Sequence, residues 1–236
     1  MKLDDNKWNF IDARDVLVIT FLVIYAVKFI IYQQFDFKIT SLIFEPFFLF
    51  LPLFYYSRKY GTKHIKLFIF NERTRFYLNV RNGALLGLSI ASISLLMDIV
   101  FFGEMKILQV FEIANIHFIT RTIGSFFVKM FPLLSLFAIC EEYFFRYVLY
   151  KGLRDKYGML ASSVICSIIL LLSHNIKLNF TFANISGLVI LFTLSVVSCF
   201  CYEKYKRLTM VVSIHLFYNS ILIVKAQFWE YCIHLR

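Results

Sequence analysis

Seven long apolar stretches constrain this chain more than any other feature of its sequence. In chain order they cover residues 16–32, 39–56, 83–102, 122–149, 159–173, 180–201 and 208–224. A helix needs about 20 mainly apolar residues to cross the hydrocarbon core of a membrane. The pattern therefore predicts an all-α fold, a polytopic membrane helical bundle with about seven transmembrane helices, and six to eight are compatible with it.

The composition leaves little chain for a soluble domain. Of the 236 residues, 60% are hydrophobic and only 17% are charged, whereas soluble domains are about 45–50% apolar. We therefore expect a single membrane domain over residues 1–236. The first 15 residues are polar and the apolar run after them has no small-residue cleavage site, so we expect the first helix to remain as an anchor.

The net charge of +10 is explained by membrane topology. Sixteen of the 25 Lys and Arg residues fall in segments that are cytoplasmic if the N-terminus is inside, as the positive-inside rule requires. We therefore expect a multi-pass protein of the cell membrane with a cytoplasmic N-terminus. The longest of these segments, residues 57–82, mixes basic and aromatic residues. We interpret it as a surface segment against anionic lipid, so lipids and not nucleic acid are the expected partners.

Ionisable residues interrupt the fourth apolar stretch. Each costs at least about 2.5–3.5 kcal/mol inside a membrane, so each needs a reason. Glu142 and Arg146 are four residues apart, share a helix face and can pair. Glu141 lies about 100° round the helix from Glu142 and must find another partner. A carboxylate held in an apolar site is a candidate general acid or base.

Two later stretches carry polar groups that can meet Glu141. His174 follows the fifth stretch, and His215 and Asn219 are four residues apart in the seventh. A carboxylate and an imidazole that share a water, facing two donors that can hold an oxyanion, can hydrolyse an amide. A nucleophile is an alternative, because three candidate side chains lie beside these groups: Ser173, Ser213 and Cys140.

The five cysteines are odd in number and form no CxxC pair. They are Cys140, Cys166, Cys199, Cys201 and Cys232. Four of them lie inside or at the edge of apolar stretches, so we interpret them as small buried hydrophobic residues and not as disulfides or a metal site.

At these motifs the sequence resembles the CPBP family of intramembrane proteases, also called the CAAX protease or Abi family. The family includes type II CAAX prenyl endopeptidases and bacteriocin self-immunity proteins. The motif Glu-Glu-xxx-Arg is complete from Glu141 to Arg146, and His-xxx-Asn is complete from His215 to Asn219. The middle motif, Phe-xxx-His, has Leu170 at the position of its phenylalanine. The resemblance lies within residues 122–225, the expected catalytic core, while the N-terminal helices of residues 1–121 are the part that such proteins vary.

The resemblance implies catalytic roles for Glu141, His174, His215 and Asn219. The first two activate the attacking water and the last two stabilise the oxyanion, while Glu142 and Arg146 form a supporting pair. Members are often labelled metalloproteases, and Glu141, His174 and His215 are residues that can bind Zn²⁺. We favour a metal-free glutamate mechanism that requires no cofactor, with the metal as the alternative.

The predicted boundaries place these residues at unequal depths. Glu141 lies about 12 Å from the end of its stretch at residue 149, and His174 about 22 Å from the start of its stretch at residue 159. If they meet, the fifth helix begins below the membrane plane or tilts, or the boundaries differ. We expect the site in the inner half of the membrane, opening toward the cytoplasm.

The leading prediction is an intramembrane endopeptidase that acts on a membrane-associated peptide or protein. One alternative is a non-catalytic membrane scaffold or bacteriocin-immunity protein that acts by binding through the same helices. Another is a small transporter or proton relay, since intramembrane Glu and His also serve there. The sequence shows neither the inverted repeats nor the broken helices that are typical of transporters, which argues against this alternative. The sequence leaves the substrate and the oligomeric state open.

Overall fold

The computed structural model describes residues 8–32, 50–55, 57–59, 75–102, 131–174 and 182–234. Its helices are α1 (Phe10–Tyr32), α2 (Phe76–Phe102), α3 (Phe131–Glu142), α4 (Lys151–Ser173), α5 (Phe182–Tyr205) and α6 (Leu208–His234). A π-helical segment, Tyr143–Tyr150, joins α3 to α4. No strand occurs in these ranges, and the predicted all-helical fold is confirmed.

Four helical stretches in the described residues are long and apolar enough to cross a membrane. They are Phe76–Met97, Leu134–Ser173, Ile185–Tyr205 and Leu208–Lys225. The predicted count of seven is not confirmed, and most of the predicted second stretch lies outside the described residues. The helix α2 begins at Phe76, not at residue 83. Residues 76–82 of the predicted basic loop are therefore helical, and Asn79 in the first turn is buried.

The stretch Leu134–Ser173 is a helical hairpin. Its 40 residues would measure about 60 Å as one straight helix, twice the thickness of the hydrocarbon core. Gly158 interrupts it with φ 78° and ψ 175°, a conformation that glycine adopts without steric cost. Cys166 Sγ lies 3.0 Å from the carbonyl oxygen of Phe145, 21 residues earlier. The chain therefore folds back on itself at this glycine.

This hairpin corrects the predicted boundary at residue 149. The helix continues to residue 157, so the inner loop expected after the fourth stretch is helical. Glu141 lies 17 residues before Gly158, and His174 lies 16 residues after it. Along the two helical arms of the hairpin, these separations are about 25 Å and 24 Å. The two residues are thus at the same depth, and the unequal depths were a boundary error.

Close backbone packing joins α2 to α6. A Cβ added at Gly83 would lie 2.4 Å from the carbonyl oxygen of Met210, and one at Gly87 would lie 2.4 Å from that of Ile214. The two glycines are four residues apart, a spacing that lets membrane helices approach closely. Because Ile214 precedes His215, this contact fixes where α6 presents the histidine.

Segments predicted to share one side of the membrane lie at one end of the bundle. The ring of Phe10, at the start of α1, lies 5.6 Å from that of Tyr157 between centroids. At the end of α5, Glu203 accepts a hydrogen bond of 2.9 Å from the Tyr150 hydroxyl and pairs with Arg154 at 3.4 Å. The start of α1, the turn at Gly158 and the turn after α5 are therefore neighbours. Which side of the membrane they face stays a prediction.

The π-helical segment is the centre of the larger hydrophobic core. Seven of its eight side chains are buried, because α1, α4, α5 and α6 surround it. The indole N–H of Trp8 donates to the carbonyl oxygen of Val148 at 3.0 Å and ties the N-terminus to this core. The two glutamates at the end of α3 therefore stand on a rigid, dry base.

Candidate active site

The structure brings five of the six predicted residues into one network of contacts. They are Glu141, Glu142, Arg146, His174 and His215. The glutamates end α3, the arginine lies in the π-helical segment, and the histidines lie directly after α4 and on α6. Asn219 lies one turn after the α6 histidine and is half-buried. The described contacts of the network do not reach its side chain.

Glu142 is held from two sides. Arg146 Nε lies 3.0 Å from Oε2 of Glu142, and Nη2 lies 3.5 Å from Oε1. His215 Nδ1 lies 2.9 Å from the same Oε1. The side chains of Glu142 and Arg146 are 2% and 1% exposed, so the predicted pair is present as a buried ion pair. Its contact with His215 was not predicted, because it depends on how α6 packs against α3.

Glu141 faces the two histidines. Its Oε1 lies 3.9 Å from Nε2 of His174, and its Oε2 lies 3.6 Å from Nε2 of His215. Both gaps are longer than a direct hydrogen bond, and a polar gap of this length can be bridged by water. One water can therefore contact the carboxylate and an imidazole together.

Both histidines are oriented through Nδ1. That nitrogen of His174 donates to the carbonyl oxygen of Leu170 at 2.9 Å, and that of His215 donates to the carboxylate of Glu142. Since these oxygens only accept, we assign a proton to Nδ1 of each imidazole. Nε2 of each ring then faces Glu141. Leu170 acts through its backbone, so the departure from the Phe-xxx-His motif leaves this contact unchanged.

Exposure falls steadily from the mouth of the site to its base. The side chain of His174 is 32% exposed and that of Glu141 is 11% exposed, whereas His215 is 8% exposed and Glu142 is 2% exposed. The Glu141–His174 pair therefore lies on the more exposed side of the site. The Glu142–Arg146 pair is sealed from water and is suited to holding other groups in place.

The neighbouring serines are bound to their own helices. Ser173 Oγ donates to the carbonyl oxygen of Leu170 at 2.7 Å, and Ser213 Oγ donates to that of Thr209 at 2.8 Å. Ser173 Oγ also lies 3.4 Å from Nδ1 of His174. That nitrogen already donates to the same carbonyl, so it cannot take the serine proton. The geometry favours a water over a serine as the nucleophile.

Cys166 adds a contact that sequence reasoning missed. Its Sγ lies 3.6 Å from Nη1 of Arg146 and donates to the carbonyl oxygen of Phe145. The cysteine is fully buried, as predicted, but its thiol is also a polar partner of the buried guanidinium. No local sequence pattern predicts the contact between Cys166 and Arg146, because the two residues meet only when the chain turns back at Gly158.

Among the described residues, no group of three or more His, Cys, Asp or Glu side chains is arranged so that it could hold a metal ion. The nearest approximation is Glu141 with the two histidines, whose Nε2 atoms approach different oxygens of the carboxylate.

Comparison with known proteins points to the same region. Residues 123–221 match the family model described as type II CAAX prenyl endopeptidase Rce1-like. The matched segment contains all six predicted residues, and the resemblance of this part of the chain to the CPBP, or CAAX protease, family is confirmed. No curated protein and no solved structure matches the chain.

Proposed function

We propose that this protein is an intramembrane endopeptidase that hydrolyses a peptide bond of a membrane-associated peptide or protein. The proposal rests on Glu141, which lies 3.6 Å and 3.9 Å from the Nε2 atoms of two histidines. Its side chain is 11% exposed, while Glu142 behind it is 2% exposed. The family match supports the same reaction class.

In this mechanism Glu141 is the general base. A water held between its carboxylate and Nε2 of His174 attacks the carbonyl carbon of the scissile bond, and Glu141 takes the water proton. The carbonyl oxygen of Leu170 keeps His174 in the orientation that holds this water. The tetrahedral oxyanion then collapses, the C–N bond breaks, and Glu141 gives its proton to the leaving amine, which restores the carboxylate and leaves the new carboxyl group on the other product.

His215 and Asn219 are the proposed donors to the oxyanion. Glu142 and Glu141 are two carboxylates against one guanidinium, so an imidazolium at His215 makes the cluster neutral. Its Nδ1–H stays with Glu142, and its Nε2–H is then directed at the mouth of the site. Asn219 lies one turn further on α6 and supplies the second donor. Removing one donor of this kind typically costs about 10²–10³-fold in kcat.

We also propose that the N-terminus is cytoplasmic and that the site opens toward the cytoplasmic side of the cell membrane. The cytoplasmic N-terminus is supported by the predicted inner segments, which lie at one end of the bundle, where Arg154, Lys156 and Lys206 gather. Glu141 and His174 lie about 25 Å along the hairpin arms from that end, so the proposed cytoplasmic opening of the site rests on the sequence and not on this geometry. Cysteine-accessibility labelling of single-cysteine variants at the Gly158 turn in intact cells would test the orientation.

Glu141→Gln tests the mechanism. It keeps the size of the side chain but removes its basicity, so cleavage should fall by about 10²–10⁴-fold. Glu203→Gln is the matched control, because it makes the same change at the far end of the π-helical segment and should leave cleavage unchanged. Peptidomics of membranes that contain equal amounts of each variant would identify the cleaved peptide.

Wild-type cleavage by the Glu141→Gln variant would overturn the mechanism. A protein that acts only by binding would keep its cellular phenotype in this variant, so phenotype and cleavage are measured together. Loss of both with normal insertion and folding is the expected result.

A further inference from the structure

We infer that Cys166 is a positioning residue of this site. Its thiol holds the guanidinium of Arg146 in the orientation that aligns Glu142 and, through it, His215. The inference rests on the proposed function and adds a residue of α4 that lies outside the three sequence motifs.

The thiol of Cys166 makes two polar contacts, one as a donor and one as an acceptor. Its S–H donates to the carbonyl oxygen of Phe145 at 3.0 Å, so the sulfur lone pairs are left to face Nη1 of Arg146 at 3.6 Å. The residue is fully buried, so solvent does not compete with this contact. The thiol of Cys199 on α5 is a further polar neighbour of the same sulfur.

The contact completes the coordination of Arg146. Glu142 takes Nε and Nη2, which lie on one edge of the planar guanidinium. Nη1 points away from that carboxylate and toward Cys166. With partners on one edge alone the plane could pivot about the carboxylate, whereas a third partner fixes its orientation.

One atom, Oε1 of Glu142, connects Arg146 to His215. Glu142 Oε1 lies 3.5 Å from Nη2 of Arg146 and 2.9 Å from Nδ1 of His215. A pivot of the guanidinium moves this oxygen and redirects Nε2 of His215. Outer hydrogen-bond partners of this kind orient a catalytic group without touching substrate.

Cys166 also links the two arms of the hairpin. It lies on the arm that ends at His174, and its partners Phe145 and Arg146 lie on the arm that carries Glu141. The thiol therefore contributes to the register that places His174 opposite Glu141.

The test compares Cys166→Ala and Cys166→Ser with Ser167→Ala. Ser167 is the next residue on α4 and is fully buried, and its hydroxyl has no hydrogen-bond partner among the residues that the structure describes, so it controls for packing. Cys166→Ala should lower kcat about tenfold at unchanged KM, the size of one lost hydrogen bond to a charged group. Cys166→Ser keeps a donor and an acceptor and should recover most of this loss, while Ser167→Ala should match the wild type.

Equal kcat in Cys166→Ala and Ser167→Ala would overturn the inference. So would a serine variant as slow as the alanine variant, because the polar contact would then be irrelevant.

A thermal-unfolding cycle makes the test independent of cleavage. Cys166→Ala, Glu142→Gln and the double variant are melted in detergent, and coupling is measured from their midpoints. If Cys166 acts through Arg146 and Glu142, its substitution costs less in the Glu142→Gln background. Additive effects would overturn the inference, whereas coupling in a protein that shows no cleavage would overturn the proposed function alone.

Discussion

Arg146→Met removes the guanidinium that forms a buried ion pair with the carboxylate of Glu142. Methionine is unbranched and fills similar space, so the change is chiefly electrostatic. The carboxylate of Glu142 is only 2% exposed, and it would keep His215 as its partner. We expect the variant to fold with a marked loss of stability.

The size of the loss follows from the burial of the pair. Breaking a buried ion pair by removing one partner costs about 3–5 kcal/mol. His215 stays 2.9 Å from the carboxylate of Glu142, so we expect the lower end, about 3 kcal/mol. For a chain of 236 residues, each kcal/mol lowers Tm by about 2–4 °C, which gives a decrease of about 6–12 °C.

The assay is thermal unfolding of the purified protein in detergent. Arg154→Met is the matched control, because Arg154 also pairs with a glutamate, Glu203, but its side chain is 39% exposed. Pairs this exposed contribute about 0–1 kcal/mol, so the control should shift Tm by less than about 4 °C. Adding Glu142→Gln to Arg146→Met removes the stranded charge and should recover much of the loss.

Two results would refute this reasoning. One is an Arg146→Met variant that melts together with the Arg154→Met control. The other is a double variant no more stable than Arg146→Met, since the cost could not then come from the stranded carboxylate of Glu142.

Three further predictions address the packing and the chemistry. Gly87→Ala should cost about 1–3 kcal/mol and slow cleavage, because its Cβ would press on the α6 backbone. Gly187→Ala, whose Cβ would meet nothing within 4 Å in the described part of the chain, should be neutral or stabilising. Equal melting of the two variants would contradict the close packing. Asp12→Ala should lower stability by about 2 kcal/mol, since Asp12 is fully buried, pairs with Lys59 and accepts a hydrogen bond from the backbone N–H of Asn9 at the start of α1. Asp15→Ala, whose side chain is 34% exposed, is its control in the same melting assay. Treating the purified protein with a metal chelator should leave peptide cleavage unchanged, and loss of activity that zinc restores would replace the metal-free mechanism with the metal alternative.

The sequence predicted correctly those features that depend on a single helix, such as its apolar length and the residues that share one of its faces. The apolar stretches predicted α2, α5 and α6, because a membrane sets the length of a helix regardless of its neighbours. The four-residue spacing of Glu142 and Arg146 predicted their pairing, because residues four apart share a helix face. The same spacing placed His215 and Asn219 on one face. These are local properties that the order of residues states directly.

The sequence could not supply the register between helices. The end of the fourth stretch was misplaced at residue 149, because the polar residues after it are equally compatible with a loop and with a helix that emerges from the membrane. Only the fold shows that the chain reverses at Gly158. The glycines of α2 also escaped notice, since a small residue reveals close packing only when its neighbour is known.

The sequence by itself determined the membrane environment of this protein and the set of polar residues that must be explained inside it. The tertiary structure decided how they are joined: Glu141 between two histidines, Glu142 as the partner of both Arg146 and His215, and Cys166 behind the guanidinium. The physical reason is that apolar length and helical spacing act along the chain. Contacts between helices instead depend on where the chain turns back and how closely the backbones approach, and both are fixed only by packing.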